Sequence, residues 1–137
     1  MYSRIVVPVD LAHPELLTKA LDTASDLARH YGAGLTYVSV TAETPTSVAH
    51  NPKEFGEKLA EFARQRAAAD GLSIETAAYT ATDPTIDIDA TLLRAAEEAG
   101  ADLVVIASHK PGLADYFWGS HGGRLAGHAA ISVFVVR

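Results

Sequence analysis

The sequence predicts an α/β fold, a single open parallel sheet with helices packed on both of its faces. Three observations predict it. Short runs of β-branched and other apolar residues, as in Ile5 to Val9 and Leu103 to Ala107, have the length and composition of strands buried on both faces. Longer segments with apolar residues at helical spacing lie between them. The two kinds alternate along all 137 residues without repeat or linker, which implies parallel strands joined by helical crossovers. One domain, residues 1–137, is expected, large enough to bury a proper core.

Taken in order, Ser3 to Val9 (SRIVVPV) reads as the first strand and stops at Asp10. Pro8 belongs near its end, because proline cannot donate to a central ladder. From Pro14 to Tyr31 the residues Leu17, Ala20, Leu21, Ala24, Leu27, Ala28 and Tyr31 mark one helical face. Pro14 suits a first turn and Gly32 a terminus. Leu35 to Val40 is the second strand, and Thr41 to Pro52 a polar loop. Lys53 to Asp70 is a second helix whose face is Phe55, Leu59, Phe62, Ala63 and Arg66, ended by Gly71. Leu72 to Tyr79 is more polar and alternating, as an edge strand would be. Thr80 to Thr85 reads as loop, with Asp83-Pro84 as its turn signal. A third helix runs from about Asp87 to Ala99, capped by Asp89 or Asp87 and stopped by Gly100. Strand four is Asp102 to Ala107, helix four about Gly119 to Ala129, and strand five Ile131 to Arg137.

Composition excludes several classes of function. The chain is 48% hydrophobic and 20% charged, hence globular. A net charge of -6 without a basic run argues against nucleic acid as a partner. The absence of cysteine removes disulfides, thiolate catalysis and Cys-based zinc sites. No apolar run approaches the roughly 20 residues that span a bilayer, and no signal sequence precedes the first strand. A soluble cytoplasmic protein is expected.

In sheets of this class ligands bind at the carboxyl ends of strands, where the winding direction reverses. Asp10 ends strand one, placed to accept hydrogen bonds from ribose hydroxyls or to help hold a phosphate-bound metal; its alternative role is a cap. Ser108, His109 and Lys110 follow strand four and could contact phosphate. Gly119-Ser120 opens a helix, where backbone N–H groups and the hydroxyl suit an anion. Histidines His109, His121 and His128 raise a metal site, but without a close His pair no ligand set forms, and none is expected. Asp87 and Asp89 could serve acid–base chemistry, yet capping suits them better. Tyr116-Phe117-Trp118 suits packing more than base stacking. There is no Gly-x-Ser-x-Gly elbow, no Walker sequence and no Gly-x-Gly-x-x-Gly after strand one, so no catalytic set emerges.

The blocks IVVPVD (5–10), TYVSV (36–40), ADLVVIASH (101–109) and GSHGGRLAGHAAISVFVVR (119–137) resemble, in content and order, the universal stress protein family. The resemblance spans the chain and is strongest to the UspF/UspG-like nucleotide-binding branch. It implies a Rossmann-like, adenine nucleotide alpha hydrolase-like fold with strand order 3-2-1-4-5 and four helices. It also implies a homodimer joined through strand five, and ATP or AMP as the ligand, with or without magnesium. Pro8, Val9 and Asp10 would then meet adenine and ribose, with Val40 lining the adenine pocket. Ala107, Ser108, His109 and Lys110, with Gly119, Ser120 and His121, would surround ribose and phosphates. The family's Gly-x-x-Gly-x9-Gly-Ser/Thr motif is altered, since Ala107 and Lys110 replace its first two glycines and eight residues separate Lys110 from Gly119. Lysine there adds positive charge beside the phosphates. The expected function is an adenine-nucleotide-binding sensor or regulator in stress response. The alternatives are a dimeric interaction module with a vestigial crevice and a weak ATP hydrolase.

Overall fold

In a computed structural model the described residues are 1–108, 127 and 130–137. Five strands form one sheet: β1 (Arg4–Pro8), β2 (Gly34–Ala42), β3 (Ile74–Ala81), β4 (Leu103–Ala107) and β5 (Ser132–Val136). Their order is β3-β2-β1-β4-β5, and every pairing is parallel. This is the expected order, with the winding reversed between β1 and β4.

Alternation along β1 shows why its strand is apolar throughout. Ile5, Val7 and Val9 pack on one side with Leu21 and Ala24 of helix α1 (Thr18–Tyr31) and with Leu59 and Ala63 of α2 (Pro52–Asp70). Val6 faces the other side, with Ile88, Leu92 and Ala96 of α3 (Pro84–Glu98). A period-two strand between two helical layers must be hydrophobic at every position. At the terminus of α1, Gly32 adopts φ 63°, and at that of α2, Gly71 adopts 67°. This left-handed geometry, which side chains resist, lets each helix stop and turn back to the sheet.

Among the boundaries that differ from the sequence expectation, β2 runs on to Ala42, two residues into the expected Thr41 to Pro52 loop, and three others stand out. The helical spacing from Pro14 begins as a 3-10 turn, Pro14–Leu16, and α1 proper starts only at Thr18. The cause is a run of tight bonds: His13 N–H to Asp10 C=O, Leu16 N–H to His13 C=O and Leu17 N–H to Pro14 C=O. Second, α3 starts at Pro84, so Asp87 lies in its first turn and Asp89 beyond it, and neither caps the helix. Proline's fixed φ fits a first helical position, so Asp83-Pro84 was a helix start rather than a loop signal. Third, β3 begins at Ile74 rather than Leu72 and runs to Ala81. It pairs with β2 from Leu35↔Ile74 to Ala42↔Ala81. The expected fourth helix, Gly119 to Ala129, lies outside the described residues except Gly127, which is helical.

Candidate functional site

The site begins where β1 ends. Val9 N–H still donates to Val38 C=O at 2.7 Å, but the chain then leaves the sheet. Asp10, 7% exposed, drives that departure by accepting the Ala12 N–H on Oδ1 at 2.9 Å. Asp10 therefore stands at the carboxyl end of the central strand, beside the reversal of winding. The β1–β4 register pairs Ile5 with Leu103 and Val6 with Val104, and the same offset brings Asp10 level with Ser108. The two neighbouring loops that the sequence singles out thus leave adjacent strands at one height.

On the other flank, β2 outruns β1. Val38 turns its carbonyl towards β1, as its bond from Val9 shows. Backbone direction in a strand repeats every second residue, so Val40 turns its N–H and C=O to the same side. There β1 has already ended at Pro8. The result is an adjacent donor and acceptor aimed past the end of a strand. Between them, the Ser39 hydroxyl donates to the Val9 carbonyl at 2.5 Å and ties the two strand ends together.

These groups border a cavity of about 380 Å³ lined by Val9 to His13, Ser39 to Ala42, Thr46 to Val48 and Phe55, within the size range of small-molecule sites. Val9, Val40, Val48 and Phe55 supply apolar walls, while Asp10 supplies a carboxylate. The arrangement suits a flat heteroaromatic ring that carries a donor beside an acceptor, joined to a hydroxylated group. At the cavity's edge the Glu54 carboxyl is held below the usual carboxylate range, first by the His50 N–H, then by the His50 ring and Lys58. A larger groove of about 700 Å³ runs past Arg4, Thr36, Glu75 and Tyr79. It opens at the amino ends of the strands, opposite the carboxyl ends where ligands bind in sheets of this class, so the smaller cavity is the candidate.

Of the residues expected at the site, Val9, Asp10 and Val40 line this cavity. Pro8 is the buried last residue of β1, Ala107 is the buried last residue of β4, and Ser108 donates its N–H to Val136 C=O at 2.7 Å. These three stand at the strand ends around the cavity rather than in its lining. His109, Lys110, Gly119, Ser120 and His121 lie outside the described residues. Sequence reasoning missed His13, Ser39, Thr46, Val48 and Phe55. Ser39 carried a signal, as the one residue of LTYVSV besides Thr36 and Tyr37 with a polar group. Phe55 carried none that separated it from ordinary core. Among the described residues, no three His, Cys, Asp or Glu side chains converge as a metal site, and no helix is long and apolar enough to cross a membrane.

A doubly wound parallel sheet with a cavity at the carboxyl ends of β1 and β2 defines the class as an open α/β domain, and comparison with known proteins narrows it. The model of the universal stress protein family matches residues 1–137. The chain belongs to that family. It is 29% identical over 146 residues to universal stress protein G of Shigella flexneri, with both chains covered in full. A universal stress protein family structure from Burkholderia pseudomallei superposes with TM-score 0.71 at 26% identity, covering 98% of this chain and 96% of that one. A universal stress protein in complex with cAMP has TM-score 0.70 at 22% identity, covering 99% and 97%. A family member from Arabidopsis thaliana with AMP bound has TM-score 0.63 at 17% identity, covering 98% and 90%.

Proposed function

We propose that this protein binds an adenine nucleotide, ATP or AMP, at the carboxyl ends of β1, β2 and β4, and acts as a nucleotide-responsive sensor or regulator in stress response. The observation that carries the reading is the 380 Å³ cavity lined by Asp10 and Val40 at the point where β2 runs on past the end of β1. Adenine presents a donor and an acceptor side by side on one edge, as Val40 does in complement. The ribose hydroxyls would donate to Asp10. Ser108, His109 and Lys110, with Gly119, Ser120 and His121, would surround the phosphates, and magnesium could accompany ATP there. The cAMP and AMP complexes among the structural neighbours support an adenine ligand.

The same reading includes a homodimer through β5. That strand is a sheet edge, and Phe134 on it is 45% exposed. An uncovered apolar edge invites pairing with its own copy, an isologous contact that closes at two subunits. A cytoplasmic location would supply the nucleotide. Mass spectrometry of small molecules released from gently purified protein tests the ligand directly. An adenine nucleotide near one equivalent per chain supports the reading; protein that carries none and takes up none at millimolar concentration favours the interaction module.

A further inference from the structure

One wall of the cavity does not belong to the sheet. It is the segment between β2 and α2, where Thr46, Ser47 and Val48 face the cavity. A polar surface loop is ordinarily the softest part of a site, yet this one is tied down twice. Within the loop, Thr46 N–H donates to Ala49 C=O at 2.9 Å. The Thr46 hydroxyl in turn accepts the N–H groups of Val48 at 3.2 Å and Ala49 at 3.3 Å. Ala49 itself is buried, at 5% exposure.

The second tie comes from α2. The Lys58 ammonium donates to the Val48 carbonyl and pairs with Glu54 Oε1 at 3.2 Å. Glu54 Oε2 accepts the His50 N–H at 3.2 Å and lies 3.0 Å from His50 Nδ1. One ion pair on a helix thereby grips the loop on both sides of Ala49. Because Val48 lines the cavity, the Lys58 bond sets how far this wall stands from Val9 and Val40.

We infer that Lys58, backed by Glu54, is a positioning residue for the ligand's ring, fixing the width of the slot between Val48 and the ends of β1 and β2. The inference rests on the nucleotide reading and adds to it the part of the ligand concerned. A wall ordered in advance spares the ligand the cost of ordering it, and its loss is felt mainly as faster dissociation. Lys58 holds a carbonyl on the loop instead of facing the open crevice, so its removal should weaken the base and leave any phosphate contribution intact.

The test is calorimetric titration of adenosine and AMP into wild type, Lys58→Met and Lys58→Arg, with amide hydrogen exchange across residues 46–50. Methionine keeps the aliphatic stem and removes the donor. Lys58→Met should weaken adenosine and AMP by the same factor, about five- to tenfold, and speed exchange at Val48 and Ala49. Lys58→Arg should restore both affinities to within about twofold, since it keeps a charged donor. Unchanged affinity for both ligands in folded Lys58→Met overturns the inference. So does a loss confined to AMP, which would make Lys58 a phosphate contact. Wild type that binds neither ligand overturns the nucleotide reading itself, and the inference with it.

Discussion

The hydroxyl of Ser39 donates to the carbonyl of Val9 across the end of the β1–β2 pair, at 2.5 Å. Ser39 is 1% exposed, so this bond lies inside the fold, one residue before Asp10. Ser39→Ala leaves a buried carbonyl short of its donor, a loss of about 1–2 kcal/mol. The expected outcome is a melting temperature lower by several degrees and a several-fold weaker adenine nucleotide affinity. Urea unfolding and titration of the same variant measure the two effects.

Asp102 makes the matching tie between β1 and β4. Its carboxylate accepts the N–H groups of Ser3 at 2.8 Å and Arg4 at 3.0 Å. Burial pushes the carboxyl up, but the bonds from Arg4 and Ser3 outweigh it and hold it below its ordinary value. A depressed carboxylate adds stability above its unfolded pKa, and that stability is lost as pH falls through the folded value. Asp102→Asn should therefore be less stable than wild type at pH 7, and the gap should narrow as pH falls below the ordinary carboxylate range. Equal unfolding midpoints at pH 7 would contradict this.

The open edge at β5 yields a prediction about assembly. Phe134 borders a shallow hollow of about 440 Å³ with Tyr2, Leu27, Tyr31 and Leu103, whereas Val136 is buried in the core on the α1 side. Val133 and Val135 pack towards the α3 side. Phe134 can therefore be changed without opening the core. Wild type should scatter light as a dimer at tens of micromolar, and Phe134→Asp should be a monomer with an unchanged circular dichroism spectrum. A folded wild-type monomer would refute the dimer.

How far the sequence could be read follows from what each signal encodes. Period and composition reveal strands and helices, since a strand such as Ile5 to Val9 must be apolar on both faces. They do not encode which strands are neighbours; the order across the sheet came from the family resemblance. Asp10 was legible because a strand's carboxyl end is a recognisable place, whereas Val9 and Val40 came from the family resemblance. Thr46, Val48 and Phe55 were not legible. Thr46 and Val48 reach the cavity because the loop after β2 is tied back by Lys58 through the Val48 carbonyl, a contact that no periodicity encodes, and Phe55 lies on the buried face of α2 like ordinary core. Asp83-Pro84 was misread for a local reason, since the same dipeptide can open a turn or a helix.

The central claim is that an adenine nucleotide binds beside Asp10. Calorimetric titration of AMP and ATP into wild type and Asp10→Ala tests it most directly. Asp10 bonds the turn at Ala12 as well as facing the cavity, so thermal unfolding of the variant must show that the fold persists. The account predicts saturable binding of about one nucleotide per chain to wild type, weakened at least tenfold in folded Asp10→Ala, the scale of one lost charge-assisted hydrogen bond. Absence of binding to wild type at millimolar nucleotide, or equal affinity in the two proteins, would contradict it.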